Sequence, residues 1–202
     1  MTSLFTLDER STIIKDINNK YYKVAENPTG HFRYPTGREA LEKLSYCKTI
    51  LDSLPDSVAS SYCGTGNPFS LAEITKGEVI LDFGCGAGVD TIFASKLTGD
   101  EGRVVGLDIV PEMLLKAKSN KTSAGISNIE FLLSLEDSLP FEDNTFDSII
   151  SNSVINLVPE KEDILKELYR CLKPGGKIML VDQIFIGKQI KEHSTRVKSW
   201  FQ

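Results

Sequence analysis

The sequence predicts an α/β protein built on a doubly wound, mostly parallel sheet of at least five strands, with an N-terminal helical cap. From about residue 76 onward, short apolar runs alternate with segments whose apolar residues recur at helical spacing, a pattern typical of a parallel sheet covered on both faces. The first of these runs leads directly into a glycine-rich turn. Before residue 76 the chain contains helical segments and no such strand motif.

The first predicted strand belongs to the run from Val79 to Asp90, VILDFGCGAGVD, which contains three glycines at alternate positions. Glycine has no Cβ, so the turn can adopt backbone angles that other residues avoid, and a ligand can lie against its amides. A helix is predicted to follow, because four apolar residues would share one of its faces: Val89, Ile92, Phe93 and Leu97. The order of strand, glycine turn and helix indicates a site for a nucleoside cofactor.

The glycine spacing separates two cofactor classes. A dinucleotide fingerprint is G-x-G-x-x-G, but here the third glycine, Gly88, comes one residue early and Val89 occupies the dinucleotide position. The motif from Asp82 to Gly88, D-x-G-x-G-x-G, resembles the first motif of class I S-adenosylmethionine-dependent methyltransferases. An NAD-dependent oxidoreductase is the third-ranked alternative, and the glycine spacing counts against it.

Four more strands are predicted, at Arg103–Asp108, Ile129–Leu133, Phe146–Asn152 and Lys177–Asp182. Asp108 ends the second strand about 20 residues after the glycine turn, where a carboxylate that hydrogen-bonds a ribose diol is expected. Asp108 could also cap the helix that begins near Pro111, and both roles can hold together. A helix with apolar positions from Ile164 to Leu172 is predicted to end at the turn 173–176, KPGG.

The segment Ser134–Phe141 resembles the part of the methyltransferase family that lies near the adenine. Leu135 occupies the place of the usual aspartate, so Glu136, Asp137 or backbone amides would supply the polar contact. The resemblance implies S-adenosylmethionine as the cofactor and these contacts to it: Asp82, Gly84, Cys85, Gly86, Gly88, Asp90, Asp108, Ile109, Met113, Leu135, Glu136 and Asn152.

A narrower resemblance, to the arsenite methyltransferase group, extends from about Tyr34 to Asp182. It rests on four segments: Tyr34–Leu41, Leu54–Val58, Cys63–Phe69 and Ser151–Leu157. Members that methylate arsenic hold it through thiolates, but two of those places here hold Thr65 and Ser153. Trivalent arsenic prefers sulfur donors to hydroxyl oxygens, so a different small-molecule acceptor is expected.

No catalytic residue is identified, but the same segments provide candidates that would face the acceptor: Cys63, Thr65, Asn152, Ser153 and Asn156. Asn, Ser and Thr also form capping and turn hydrogen bonds readily, which is the structural alternative for these positions. His31 and His193 are too isolated to indicate a metal site or a base, so no metal is expected.

Composition restricts the class of partner and the compartment. With 23 basic and 28 acidic residues the net charge is −5, and the basic residues form no stripe, which argues against nucleic acid as a substrate. No signal peptide and no apolar run of about 18 residues is present, so a cytoplasmic protein without membrane contact is expected. The four cysteines lack paired close spacing, which argues against a zinc ribbon or a disulfide framework.

The predicted organisation is a helical cap over residues 1–75 and a Rossmann-like, S-adenosylmethionine-binding domain over residues 76–202. The cap contains helices around 9–24 and 37–54, and we expect it to cover the carboxyl ends of the strands. Only five strand candidates are visible where class I methyltransferases generally have seven, and 187–202 is interpreted as a helix or tail. Either a short natural form or a truncated chain fits, and a homodimer would cover the exposed edge of the sheet. A non-catalytic cofactor-binding protein is the main functional alternative.

Overall fold

The computed structural model describes residues 5–134, 138–184 and 186. Its five strands are β1 (Val79–Phe83), β2 (Arg103–Asp108), β3 (Ile129–Leu133), β4 (Phe146–Asn152) and β5 (Leu172–Val181). They form one parallel sheet in the order β3-β2-β1-β4-β5. This confirms the predicted fold class. Since the strand order reverses beside β1, the carboxyl ends of β1, β2 and β4 surround a crevice.

The helices of the described residues are α1 (Leu7–Glu26), α2 (Gly37–Lys43), α3 (Lys48–Asp52), α4 (Asp56–Ala59), α5 (Val89–Thr98), α6 (Pro111–Ser123) and α7 (Lys161–Cys171), with 3₁₀ turns at Pro68–Ser70 and Ile155–Leu157. Helices α5 and α6 pack on one face of the sheet and α7 packs on the other. Within the described part of the chain, no helix has the length and apolar character needed to cross a bilayer.

Helix α1 lies against the glycine turn and the start of α6. It begins with a capping box, in which Thr6 Oγ1 accepts from the amide of Glu9 and the Glu9 carboxylate accepts from the amide of Thr6. One face of α1 is buried in a cluster with residues of the turn and of α6: Ile13, Ile17, Val24, Ala87, Val110 and Met113. The helix therefore covers the carboxyl end of the sheet.

The helix predicted around 37–54 is wrong as a single element, because the chain breaks it into α2 and α3. Ser45 lies between them with a φ of 58°, a left-handed conformation that ends a helix. The side chain of Asn67 donates to the carbonyls of Leu44 and Ser45, both at 3.2 Å. This break turns Tyr46 into the interior, where it is 4% exposed.

Helices α2–α4 share a hydrophobic core with the sheet. Leu41, Val58 and Tyr62 belong to the same buried cluster as Ile80 of β1 and Ile150 of β4. The N-terminal segment thus packs on the face of the sheet as well as at its carboxyl end. The division of the chain at residue 75 stays a prediction.

Strand β5 begins earlier than predicted. Phe146 pairs with Leu172 but Ser148 pairs with Lys177, so residues 173–176 form a bulge within β5. The turn signal of KPGG was therefore correct for the end of α7 at Cys171 but wrong as the boundary of the strand. Among the described residues, β5 pairs only with β4; residues 187–202 lie outside the described ranges.

Truncation of Phe146 tests the core beneath α7. Phe146 is 1% exposed, and its ring contacts that of Phe141 edge to face at 4.9 Å. We expect Phe146→Ala to lower the free energy of unfolding by about 3–5 kcal/mol, measured by chemical denaturation. Leu115→Ala is the control, because Leu115 is 66% exposed on α6 and its loss should change stability by less than about 0.5 kcal/mol. Equal effects would contradict the assignment of this core.

Candidate cofactor and acceptor site

A cavity of about 930 Å³ opens at the carboxyl ends of β1, β2 and β4. The glycine turn and the end of β2 form its floor, and the segment that follows β4 forms a second wall. Apolar side chains of α1 line the opposite side, including Ile14, Ile17 and Tyr21. The volume lies at the upper end of the range for small-molecule sites.

Two of the three motif glycines are required by packing. All three have positive φ: 74° at Gly84, 51° at Gly86 and 76° at Gly88. A Cβ on Gly88 would lie 2.8 Å from Phe131 Cζ and 3.0 Å from Ala117 Cβ, and one on Gly84 would overlap the side chain of Val154. Around Gly86, by contrast, the nearest atom is Met113 Cε at 3.6 Å. The open face of Gly86 therefore leaves room for a ligand against the backbone.

Asp108 joins this turn to the start of α6. Its Oδ2 accepts from the amide of Gly86 at 2.7 Å, and its Oδ1 accepts from the amide of Val110 at 2.9 Å. Burial raises the pKa of Asp108, and these backbone donors oppose that shift. Asp108 also lines the cavity. One carboxylate thus holds the turn, fixes the backbone just before α6 and faces the cavity. It does not cap α6, which has no side-chain cap hydrogen bond at its first turn.

Asp82 connects β1 to α5 below the cavity. It is 2% exposed, and Thr91 Oγ1 donates to its Oδ2 at 2.5 Å. Burial raises the pKa of Asp82, and the neighbouring carboxylate of Asp90 raises it further.

A buried polar network surrounds Asp90. Tyr46 Oη donates to Asp90 Oδ1 at 2.6 Å, and Asn152 Nδ2 donates to Asp90 Oδ2 at 2.9 Å. The carbonyl of Gly66 accepts from Tyr62 Oη at 2.6 Å and from Asn152 Nδ2 at 2.8 Å. Burial raises the pKa of Asp90 to about 6, while the hydrogen bonds from Tyr46 and Asn152 act in the opposite direction. The sequence motifs predicted Asp90 and Asn152 as site residues but neither tyrosine.

The two hydroxyl residues at the places of the family thiolates touch each other. The hydroxyls of Thr65 and Ser153 are hydrogen-bonded, and the amide of Thr65 donates to Ser153 Oγ at 3.2 Å and to Asn152 Oδ1 at 3.0 Å. Ser153 has a φ of 65°, and its amide donates to the carbonyl of Val181 at 2.8 Å. Two segments 88 residues apart therefore meet at one edge of the cavity.

Of the five candidate acceptor-facing residues, Cys63, Asn152 and Ser153 line the cavity. Thr65 lies behind Ser153 and is not part of the lining. Asn156 is also outside the lining; its amide donates to Asp182 Oδ2 at 2.8 Å, and its buried Oδ1 has no hydrogen-bond partner among the described residues.

Cys63 is a neutral thiol. Burial raises its pKa to about 12, and the carboxylate of Asp108 contributes to the shift. The cysteines at 47, 63, 85 and 171 are all free. A thiol with so high a pKa is a poor anionic ligand at neutral pH.

The other predicted cofactor contacts divide into three groups. Cys85, Ile109 and Met113 line the cavity with Gly84, Gly86 and Asp82, whereas Gly88 lies behind it, against Phe131. Leu135 and Glu136 lie outside the described residues. The open backbone of Gly86 after β1 and the carboxylate of Asp108 at the end of β2 fit a nucleoside cofactor.

Comparison with known proteins shows the family to which this chain belongs. Residues 74–201 match the family described as "Methyltransferase domain". The arsenite methyltransferase of Halobacterium salinarum is 38% identical over 143 residues, which cover 71% of this chain and 36% of that protein. A ubiquinone/menaquinone biosynthesis C-methyltransferase of Enterobacter sp. is 36% identical over 110 residues, covering 54% and 44%.

The crystal structure of an arsenic(III) S-adenosylmethionine methyltransferase from Chlamydomonas reinhardtii superposes with a TM-score of 0.55 and 34% identity, covering 74% of this chain and 50% of that one. The chain thus spans between about a third and a half of the length of these proteins. Since the family match extends over more than half of its residues, the chain belongs to the methyltransferase-domain family, for which S-adenosylmethionine is the cofactor.

Proposed function

We propose that this chain is an S-adenosylmethionine-dependent methyltransferase that acts on a small-molecule acceptor. The observation that carries the proposal is the cavity at the carboxyl end of the sheet, where the open face of Gly86 and the carboxylate of Asp108 lie together. When bound, the cofactor supplies a methyl group already activated on a sulfonium sulfur. The protein then contributes mainly position, orientation and exclusion of water.

The residues of the cavity divide these tasks. The open face of Gly86 and the carboxylate of Asp108 contact the nucleoside, and the apolar face of α1, with Ile14 and Ile17, keeps water out. Cys63 and Ser153 lie where an acceptor would enter between the turn and the segment after β4.

The acceptor is proposed to be other than arsenite. One relative is named an arsenite methyltransferase and another a ubiquinone/menaquinone biosynthesis C-methyltransferase, so similarity alone does not select an acceptor. The hydroxyls of Thr65 and Ser153 are bonded to each other, and Cys63 is a single neutral thiol. This set lacks the paired sulfur donors that a soft trivalent centre prefers.

A non-catalytic cofactor-binding protein is the second candidate. It is favoured by the same hydroxyl pair, because Thr65 and Ser153 bond each other.

Two measurements distinguish the two candidates. Calorimetric titration should give saturable binding of S-adenosylhomocysteine and none of NADH; binding of NADH alone would overturn the proposal. Transfer of a labelled methyl group to a member of a metabolite panel should then occur, whereas cofactor binding without any transfer supports the second candidate. Transfer to arsenite in the presence of glutathione would contradict the proposed acceptor class.

The proposal extends to compartment and assembly. Free thiols are typical of a reducing compartment, which supports the cytoplasm, and a net charge of −5 supports a small molecule over nucleic acid as the acceptor. A homodimer would cover the edge of β5 with which no other described strand pairs. Sedimentation should give twice the monomer mass, and a monomer at all concentrations would exclude the dimer.

A further inference from the structure

We propose that Asp90 makes the cofactor site selective for positive charge on sulfur, so that S-adenosylmethionine binds in preference to the neutral thioether S-adenosylhomocysteine. This inference rests on the proposed function, because it concerns the same cavity. It assigns Asp90 a specificity-determining role beyond that of a cofactor contact. Three observations support it: the hydrogen bonds that the carboxylate accepts, the lack of a compensating cation among the described residues, and the position of Asp90 in the cavity wall.

The network around Asp90 satisfies its ionised form completely. The hydroxyls of Tyr46 and Tyr62 carry one hydrogen each and the amide of Asn152 carries two. Tyr46 and Asn152 each direct one hydrogen at a different oxygen of Asp90. The remaining two hydrogens, from Tyr62 and Asn152, go to the carbonyl of Gly66. Every hydrogen thus has an acceptor while the carboxylate is negatively charged.

This charge is not neutralised by the described part of the chain. Asp90 forms no ion pair with any described lysine or arginine. The titratable groups that face it are Tyr46 and Tyr62 from the N-terminal segment, Cys63 after them, and Asp82 from β1. Burial raises the pKa of each tyrosine and of the thiol, so these groups are neutral at pH 7.

Asp90 rather than Asp82 carries the negative charge of this pair. Asp90 accepts from two different side chains, Tyr46 and Asn152, whereas both donors to Asp82, the hydroxyl and the amide, belong to Thr91. Hydrogen bonds to a carboxylate favour its ionised form. Two buried carboxylates that repel each other ionise in sequence. Burial and the charge of Asp90 raise the pKa of Asp82 well above its ordinary value, so Asp90 ionises first.

The charge is placed to act on a ligand, because Asp90 lines the cavity. The cofactor and its thioether product share the adenosine, the ammonium and the carboxylate, and they differ by one methyl group and one positive charge. Electrostatic interactions are several times stronger in a buried site than in water. The ratio of the two affinities therefore isolates the attraction between Asp90 and the sulfonium, and the same attraction is lost once the methyl group has left, which favours release of the product.

The test is calorimetric titration of S-adenosylmethionine and S-adenosylhomocysteine between pH 5 and pH 7.5, on wild type, Asp90→Asn and Tyr46→Phe. In the wild type, we expect the preference for the sulfonium to fall by about tenfold as the pH drops through about 6, because Asp90 becomes protonated. In Asp90→Asn the preference should be low and independent of pH. Tyr46→Phe removes one hydrogen-bond donor but keeps the charge of Asp90, so its preference should match wild type at pH 7.5. As the pH is lowered, the preference should disappear with a midpoint at a higher pH than in wild type, because the lost donor raises the pKa of Asp90.

Three outcomes overturn the inference: a wild-type preference that does not change with pH, equal losses of both affinities in Asp90→Asn, or an unshifted pH midpoint in Tyr46→Phe. Thermal unfolding checks that each variant is folded, and if Asp90→Asn is not, the wild-type pH series and Tyr46→Phe decide. Failure of the proposed function has a different signature, since the wild type would then bind neither ligand.

Discussion

Asp108→Asn is expected to weaken S-adenosylmethionine binding by about 10- to 100-fold while the protein stays folded. An asparagine has one acceptor oxygen where the carboxylate has two, so either the Gly86 or the Val110 amide would face an NH₂ group instead of an acceptor. The turn would keep its two backbone bonds to Leu107 of β2, but the ribose would lose an anionic acceptor. Calorimetric titration of the cofactor measures the effect.

Asp147→Asn is the matched control for this experiment. Asp147 also accepts from a backbone amide, that of Val79 at 2.8 Å, and it pairs with Lys173 at 2.8 Å, but it lies at the amino ends of β1 and β4. We expect Asp147→Asn to lower stability and leave the affinity for the cofactor unchanged. If both substitutions weaken binding equally, the loss reflects general destabilisation, and Asp108 has no special place in the site.

The sheet could be predicted from the sequence because its signals are local. The bounds of β2, β3 and β4 coincide with the apolar runs themselves, and each run is bounded by turn residues or by the start of a helix. The glycine turn needs only neighbouring residues to be recognised. A side chain at its third glycine, Gly88, would be too close to Phe131 and Ala117. The sequence alone could not identify these two residues as neighbours of Gly88.

The network around Asp90 could not be predicted, because its members come from distant parts of the chain. Tyr46 and Asp90 are 44 residues apart, and Tyr62 and Asn152 are 90 apart. Tyr46 reaches Asp90 only because the chain leaves the helical path at Ser45. The apolar spacing of 37–54 favours a continuous helix, and the side chain of Asn67, which bonds the two carbonyls at the break, follows 22 residues later. Tertiary contacts outweighed local preference at this point.

The residues expected to face the acceptor could be predicted only in part. The resemblance to arsenite methyltransferases selected Thr65 and Ser153 as a pair, and the structure brings their hydroxyls into contact. It could not indicate that Ser153 lines the cavity and Thr65 does not, because that depends on how two segments 88 residues apart pack together. Whether either residue touches the acceptor stays a prediction.

The contact between the hydroxyls of Thr65 and Ser153 leads to the second prediction with a large expected effect, on the binding of trivalent arsenic. In a Cys63→Ser background, Thr65→Cys combined with Ser153→Cys should bind phenylarsine oxide at least about 100-fold more tightly than either single cysteine variant. Trivalent arsenic prefers sulfur to oxygen, and a second thiol already held beside the first acts at a high effective concentration. Removing Cys63 is necessary, because Cys63 lines the same cavity as Ser153 and could form a pair with a single new thiol.

Intact-protein mass spectrometry after competition with a monothiol measures this binding, because an arsenic held by two protein sulfurs resists displacement. The exposed Cys47 is present in every variant and so cancels in the comparison. Equal retention in the single and double variants would mean that the side chains at 65 and 153 do not converge on one ligand. Selective retention in the double variant would mean that this chain keeps the backbone geometry of a two-sulfur arsenic site, and that the replacement of sulfur by oxygen, rather than a change in fold, determines which acceptor it excludes.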